Sequence, residues 1–76
     1  DNRGSTALMV AAYNCHHQCC ETLLKHGAQV NAKDNDKWTA LMWAAQSGDE
    51  ECCEMLLKYG ASVNEKNNSG WTVLML

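Results

Sequence analysis

Displaced by 33 residues, this 76-residue chain falls back onto itself. Asp1 to Lys33 then lies on Asp34 to Lys66, and 19 of those 33 positions carry the same residue. The matches come in blocks: Thr6-Ala7-Leu8-Met9 on Thr39-Ala40-Leu41-Met42, Ala11-Ala12 on Ala44-Ala45, and Cys19-Cys20 on Cys52-Cys53. Leu23-Leu24, Gly27-Ala28 and Val30-Asn31 recur as Leu56-Leu57, Gly60-Ala61 and Val63-Asn64. A third copy opens at Asn67 and runs ten residues, with Gly70 on Gly4, Thr72 on Thr39 and Leu74 on Leu41. A fixed period of this length is the mark of stacked units, each too small to bury its own apolar face.

The unit reads as two short helices and a loop. Thr39 offers an acceptor oxygen to the free amides of a helix start. Leu41, Ala44 and Ala45 then fall at i, i+3 and i+4, one apolar stripe whose alanines allow close helix approach. Ser47-Gly48-Asp49 interrupts the run. Asp49, Glu50 and Glu51 place carboxylates in the first turn of a second helix, where the macrodipole favours them. Its stripe is Cys52, Cys53, Leu56 and Leu57, and Lys58-Tyr59-Gly60 ends it with a cation followed by glycine. Ser62 to Ser69 is rich in Asn and Ser and is followed by Gly70, a turn-bearing connection. Neither helix is long enough to persist alone, so stacking has to hold it.

The pattern Asp1, Gly4, Thr6, Leu8, Ala11, Ala12, then Leu23, Leu24, Gly27, Ala28, Val30 and Asn31 resembles the ankyrin repeat. That family's signature opens D-x-x-G-x-T-P-L-H-x-A-A. The resemblance covers the whole chain and implies an all-α solenoid of helix-turn-helix units joined by β-hairpin loops. Residues 1–76 would then form one array, with repeats at 1–33 and 34–66 and a partial repeat at 67–76. The T-P-L-H tetrapeptide is T-A-L-M at Thr6–Met9 and Thr39–Met42, and T-V-L-M at Thr72–Met75. The proline suited to the first helical position is thus absent, and methionine supplies a flexible apolar filler. Lys37 stands where Gly4 and Gly70 stand in the other copies, so that turn carries strain if it needs a positive φ, and Cys15 stands where the second copy has the inter-helix glycine Gly48. Because the chain opens at a repeat boundary and closes within a helix, further ankyrin repeats of the same chain are expected.

Charge and composition narrow the function. Nine carboxylates face six Lys and Arg, with no basic run. That balance disfavours phosphate-tracking recognition, so nucleic acid is not an expected partner. No apolar stretch has membrane-spanning length, and Asp1 does not open a signal peptide. Insertion into a membrane is not expected, and the compartment is taken as intracellular, cytoplasmic or nuclear.

The five cysteines read as core. Cys19, Cys20, Cys52 and Cys53 occupy second-helix positions where the family carries Ile and Val, and they are expected to act as small buried hydrophobes. Neighbouring helical residues point about 100° apart, which disfavours a bond or a shared metal within either vicinal pair. Cys15-His16-His17-x-Cys19-Cys20 contains two i, i+4 ligand pairs, yet the second copy has no histidine there, so no metal and no cofactor is expected. No nucleophile stands beside a base with an orienting third group, and no glycine-rich phosphate loop exists. A non-enzymatic chain follows from this.

Three tryptophans are the remaining signal. Trp38 and Trp71 precede the capping threonines, and Trp43 lies on the first helix of its repeat. The resemblance implies a concave face built from loop tips and first helices, which grips protein partners. Its candidate binding residues here are Trp43, Trp38, Trp71, Arg3, Tyr13, Asp36 and Gln46, with Asn2, Ser5, Val10, Asn14, Asn35, Ser47, Asn68 and Ser69 beside them. Trp43 ranks first, because the first-helix row offers its indole no obvious partner from another repeat. Trp38 and Trp71 can alternatively stack as a ladder between repeats. The family's asparagine hydroxylation pattern, L-x-x-G-A-x-V-N, falls on Asn31 and Asn64, which as turn residues also have a structural reason to be Asn. The chain therefore reads as a protein-protein interaction scaffold. The alternatives are an architectural spacer, a zinc-stabilised segment, or a targeting arm within a larger enzyme, adaptor or channel.

Overall fold

A computed structural model describes residues 4–76. It contains α1 (Ala7–Tyr13), α2 (His17–Lys25), α3 (Ala40–Gln46), α4 (Glu50–Lys58) and a closing 3-10 turn, Val73–Met75. Thr6 and Thr39 start the first helix of each repeat as expected: their hydroxyls accept from the Met9 and Met42 amides at 3.2 and 3.3 Å. Asp49 lies one position earlier than the sequence suggests. It is the cap of α4 rather than part of its first turn, and its carboxylate accepts from the Cys52 amide at 3.3 Å. His16 holds the same place before α2 but contributes no side-chain cap.

Two turns take the left-handed conformation that the copied glycines imply. Lys37 has φ 63° where Gly4 and Gly70 have 76° and 77°, and Cys15 has φ 59° where Gly48 has 75°. The inter-repeat connections form tight turns closed by backbone bonds rather than regular strands. Asp34 donates to the Trp38 carbonyl at 3.0 Å, and Lys37 donates to that of Asp34 at 2.9 Å. No β-strand is formed among the described residues, so the β-hairpin loops expected from the sequence reduce to hairpin-like turns.

Within each repeat the two helices pack on each other, and across the joint α1 stacks on α3 and α2 on α4. The core is Leu8, Met9, Ala11 and Ala12 from α1, with Ala40, Leu41 and Ala44 from α3. Cys20 and Leu24 from α2 and Cys52 and Leu56 from α4 complete it. The cysteine expectation holds for half of its members: Cys20 and Cys52 are fully buried, whereas Cys19 is exposed and Cys53 only half-buried. The faces that meet at the central joint supply this core, and Val73 of the closing turn packs against it from the other side of α3.

Polar contacts also cross that joint. The Asn31 amide donates to the Gly60 carbonyl at 3.1 Å and its oxygen accepts from the Ser62 amide at 2.8 Å. Lys33 pairs with Glu65 at 2.6 Å. Asn31 thus makes side-chain to backbone bonds, but with both ends on the next repeat rather than within its own turn.

Candidate protein-interaction face

The loop between the repeats is built around one carboxylate. Asp34 is buried. One of its oxygens accepts from the Asp36 and Trp38 amides, both at 2.9 Å. The other accepts from the indole N–H of Trp43 at 3.2 Å. A loop residue therefore fixes both the turn and the orientation of a helix side chain nine positions away. Asn67 repeats the first half of this arrangement, accepting from the Ser69 and Trp71 amides at 2.9 and 3.1 Å.

Three aromatic rings gather above Asp34. Trp38 and Trp43 lie with centroids 4.5 Å apart and planes tilted by 34°. Tyr13, from the preceding repeat, meets Trp43 edge to face at 5.4 Å and 80°. This corrects the expectation that Trp43 has no partner from another repeat. Its indole is half-buried between the tyrosine and Trp38, packs against the core cluster, and is anchored by Asp34. Trp38 likewise finds its ring partner inside its own repeat rather than in Trp71.

What remains outward-facing is Tyr13, 52 % exposed, and Trp71, 49 % exposed, together with Val10, Asp36 and Gln46. Trp38 is half-buried at the edge of this group. The turn tips of successive repeats are tied together: the Asn68 amide donates to the Asp36 carbonyl at 3.0 Å, and its side chain donates to that of Asn35 at 3.4 Å. Of the sequence-selected residues, Tyr13, Trp38 and Trp43 are brought into direct contact. Trp71 stands in the next turn and Gln46 at the end of α3. Arg3 and Asn2 lie outside the described residues.

The opposite edge of the joint carries a contact that the sequence reading missed. His17 reaches the Asp49 carboxylate with Nε2 at 2.5 Å, and its Nδ1 lies 3.3 Å from Glu51. Burial pushes the Asp49 carboxyl upward, but the hydrogen bonds from His17 and from the Cys52 amide outweigh it and leave it below the ordinary carboxylate range. The Cys15-His16-His17-x-Cys19-Cys20 stretch is thereby divided. Cys15 turns to Ser47 at 3.7 Å, His17 to Asp49, and Cys20 to Cys52 at 3.7 Å. Every one of these partners stands 32 residues away, one short of the repeat period, an offset that the alignment of the copies does not carry.

Among the described residues, no helix is long and apolar enough to cross a membrane. The ankyrin-repeat family model, which describes three copies of the repeat, matches residues 1–67. Ankyrin repeats are in general non-catalytic modules for protein-protein interaction. Period, capping threonines, paired helices and this match agree, and the chain belongs to the ankyrin-repeat family.

Proposed function

We propose that this chain binds a protein partner through the face formed by α1, α3 and the inter-repeat turns, acting as a non-enzymatic scaffold. The observation that carries the reading is the aromatic cluster of Tyr13, Trp43 and Trp38, held rigid from below by Asp34. Large aromatics fixed in place lose little freedom on binding, and residues of this type most often dominate interface energy. Tyr13 and Trp71 offer exposed ring surface, with Trp38, Trp43, Asp36, Gln46 and Arg3 as the remaining contacts. The compartment we infer is intracellular, cytoplasmic or nuclear. Service as a targeting arm in a larger enzyme, adaptor or channel is compatible with the same face. Hydroxylation at Asn31 and Asn64 is a separate proposal from the family pattern; intact mass of protein from animal cells lacking added oxygen on both would remove it.

The test is a paired measurement. Partners captured by the wild-type protein are titrated against Tyr13→Ala and Trp71→Ala, and against Glu21→Ala and Lys58→Ala on α2 and α4. Each aromatic change is expected to weaken binding by about 2 kcal/mol, with the melting temperature little altered. The charge changes should have no effect on affinity. Equal loss from both sets would place the contact elsewhere.

A further inference from the structure

The vicinal cysteines acquire a meaning only when two repeats are stacked. A period of 33 residues brings Cys19-Cys20 into equivalence with Cys52-Cys53, while contacts at this edge of the joint connect residues 32 apart. The two rules together set the second cysteine of one repeat against the first cysteine of the next. That is what is found: the sulfurs of Cys20 and Cys52 lie 3.7 Å apart, on α2 and α4, both at 0 % exposure. The other two members of the pairs face away from this contact. Cys19 is exposed, and Cys53 lines a groove with Ala45, Gly48, Asp49, Glu50 and Glu54 on the far side of the second repeat.

We propose that Cys20 and Cys52 form a redox site, closing to an inter-repeat disulfide under a small hydroperoxide and so bolting the first repeat to the second. The two thiols already lie within van der Waals contact across a packed interface, so bond formation needs only a short approach of sulfurs. Either thiol can donate to the other across this contact; Cys20 is the attacking group, because its thiol is raised less than that of Cys52. Its thiolate attacks one peroxide oxygen, the O–O bond breaks, and for hydrogen peroxide one water leaves, giving a sulfenic acid. The Cys52 thiolate then attacks the Cys20 sulfur, the S–O bond breaks, and a second water departs. Two thiols and one hydrogen peroxide thus yield one disulfide and two waters.

The same environment sets the rate. Burial pushes both thiols above their ordinary range, Cys52 further than Cys20. Thiolate is the reactive form, so the pair reacts slowly and only with an oxidant small enough to enter the joint. Exposed Cys15 and Cys19 are modified before it. Once formed, the bond closes the loop between residues 20 and 52 and constrains the unfolded chain.

The experiment uses a variant carrying Cys15→Ser, Cys19→Ser and Cys53→Ala, all outside the fully buried pair, and treats it with hydrogen peroxide. The expected product is a monomer lighter by two hydrogens, with both thiols lost together. A tryptic digest without reductant should join the peptide ending at Lys25 to the one ending at Lys58. Its melting temperature should rise, and dithiothreitol should restore the starting value. Should the background substitutions impair folding, the wild-type protein gives the same reading, because its last two thiols should disappear as a pair. Sulfinic acid on a single cysteine, or disulfide-linked dimers in place of the joined monomer, would overturn the assignment.

Discussion

The two repeats carry nearly the same sequence and bury it differently. In α2, Leu24 is buried and Leu23 only half so, whereas in α4 Leu56 is buried and its neighbour Leu57 is exposed. The same exchange occurs at Cys19 and Cys52, which are equivalent in sequence but exposed and buried respectively, and at exposed Ala7 and buried Ala40. In the other direction Ala12 is buried while its counterpart Ala45 is only half so. Every one of these differences has one cause. Positions 7, 19 and 23 and their copies face the preceding unit; positions 12, 20 and 24 and their copies face the following one. In a solenoid, burial therefore belongs to the joint between units more than to the residue, and stability divides into intrinsic and interfacial parts.

The largest expected effect tests this division directly. Leu56 is 0 % exposed and Leu57 44 % exposed, one residue apart on one helix. Leu56→Ala should cost about 2–5 kcal/mol, through lost burial and a cavity at the closed joint. Leu57→Ala should cost under about 1 kcal/mol, as a surface change does. Urea unfolding of the two variants separates them. Equal losses would mean that the far face of the second repeat is covered as thoroughly as the joint, and the comparison would fail.

A second contrast lies on the first-helix row, where Val10 and Trp43 are equivalent. Val10 is exposed, while Trp43 is wedged between Tyr13 and Trp38 with its N–H on Asp34. Trp43→Ala should lower stability by about 2 kcal/mol, because it removes ring packing and leaves a buried carboxylate oxygen without its donor. Val10→Ala should stay within about 0.5 kcal/mol. A Trp43→Ala protein that melts like the wild type would return Trp43 to a purely partner-facing role.

Much of this was legible in the sequence. The period, the capping threonines Thr6 and Thr39 and the strained position Lys37 stand where the aligned copies put them, because each rests on backbone geometry within one unit. The aromatic cluster was half legible: Trp38, Trp43 and Tyr13 were selected, but not their mutual contact. A displacement of 33 aligns equivalent residues and cannot show which of them touch. The contacts of Cys15, His17, Cys20 and Lys33 all lie at a displacement of 32, with Ser47, Asp49, Cys52 and Glu65. That offset reflects how one helix pair leans on the next, a property of the stack rather than of the unit. The role of Asp34 was hidden for a related reason. An aspartate opening a turn is ordinary, and only the fold brings a tryptophan indole to its second oxygen.

The smallest expected effect concerns the two places where one repeat keeps a glycine and the other does not. Lys37 and Cys15 hold φ of 63° and 59°, a region that costs a side-chain-bearing residue roughly 1–2 kcal/mol. Glycine removes that strain but enlarges the freedom of the unfolded chain, which offsets part of the gain. Lys37→Gly and Cys15→Gly should each therefore raise stability by no more than about 1 kcal/mol. The reverse exchanges should not be equivalent to each other. A Cβ placed at Gly4 would meet the Asn35 side-chain oxygen at 2.8 Å, whereas one placed at Gly48 meets nothing within 4 Å. Gly4→Ala should accordingly destabilise more than Gly48→Ala, by the cost of displacing Asn35 from the turn beside it. Thermal melts of the four variants measure the ordering. If Lys37→Gly instead lowers the melting temperature, the lysine side chain contributes more to the turn than its backbone strain removes, and the two repeats differ there by design of the contact rather than by tolerated substitution.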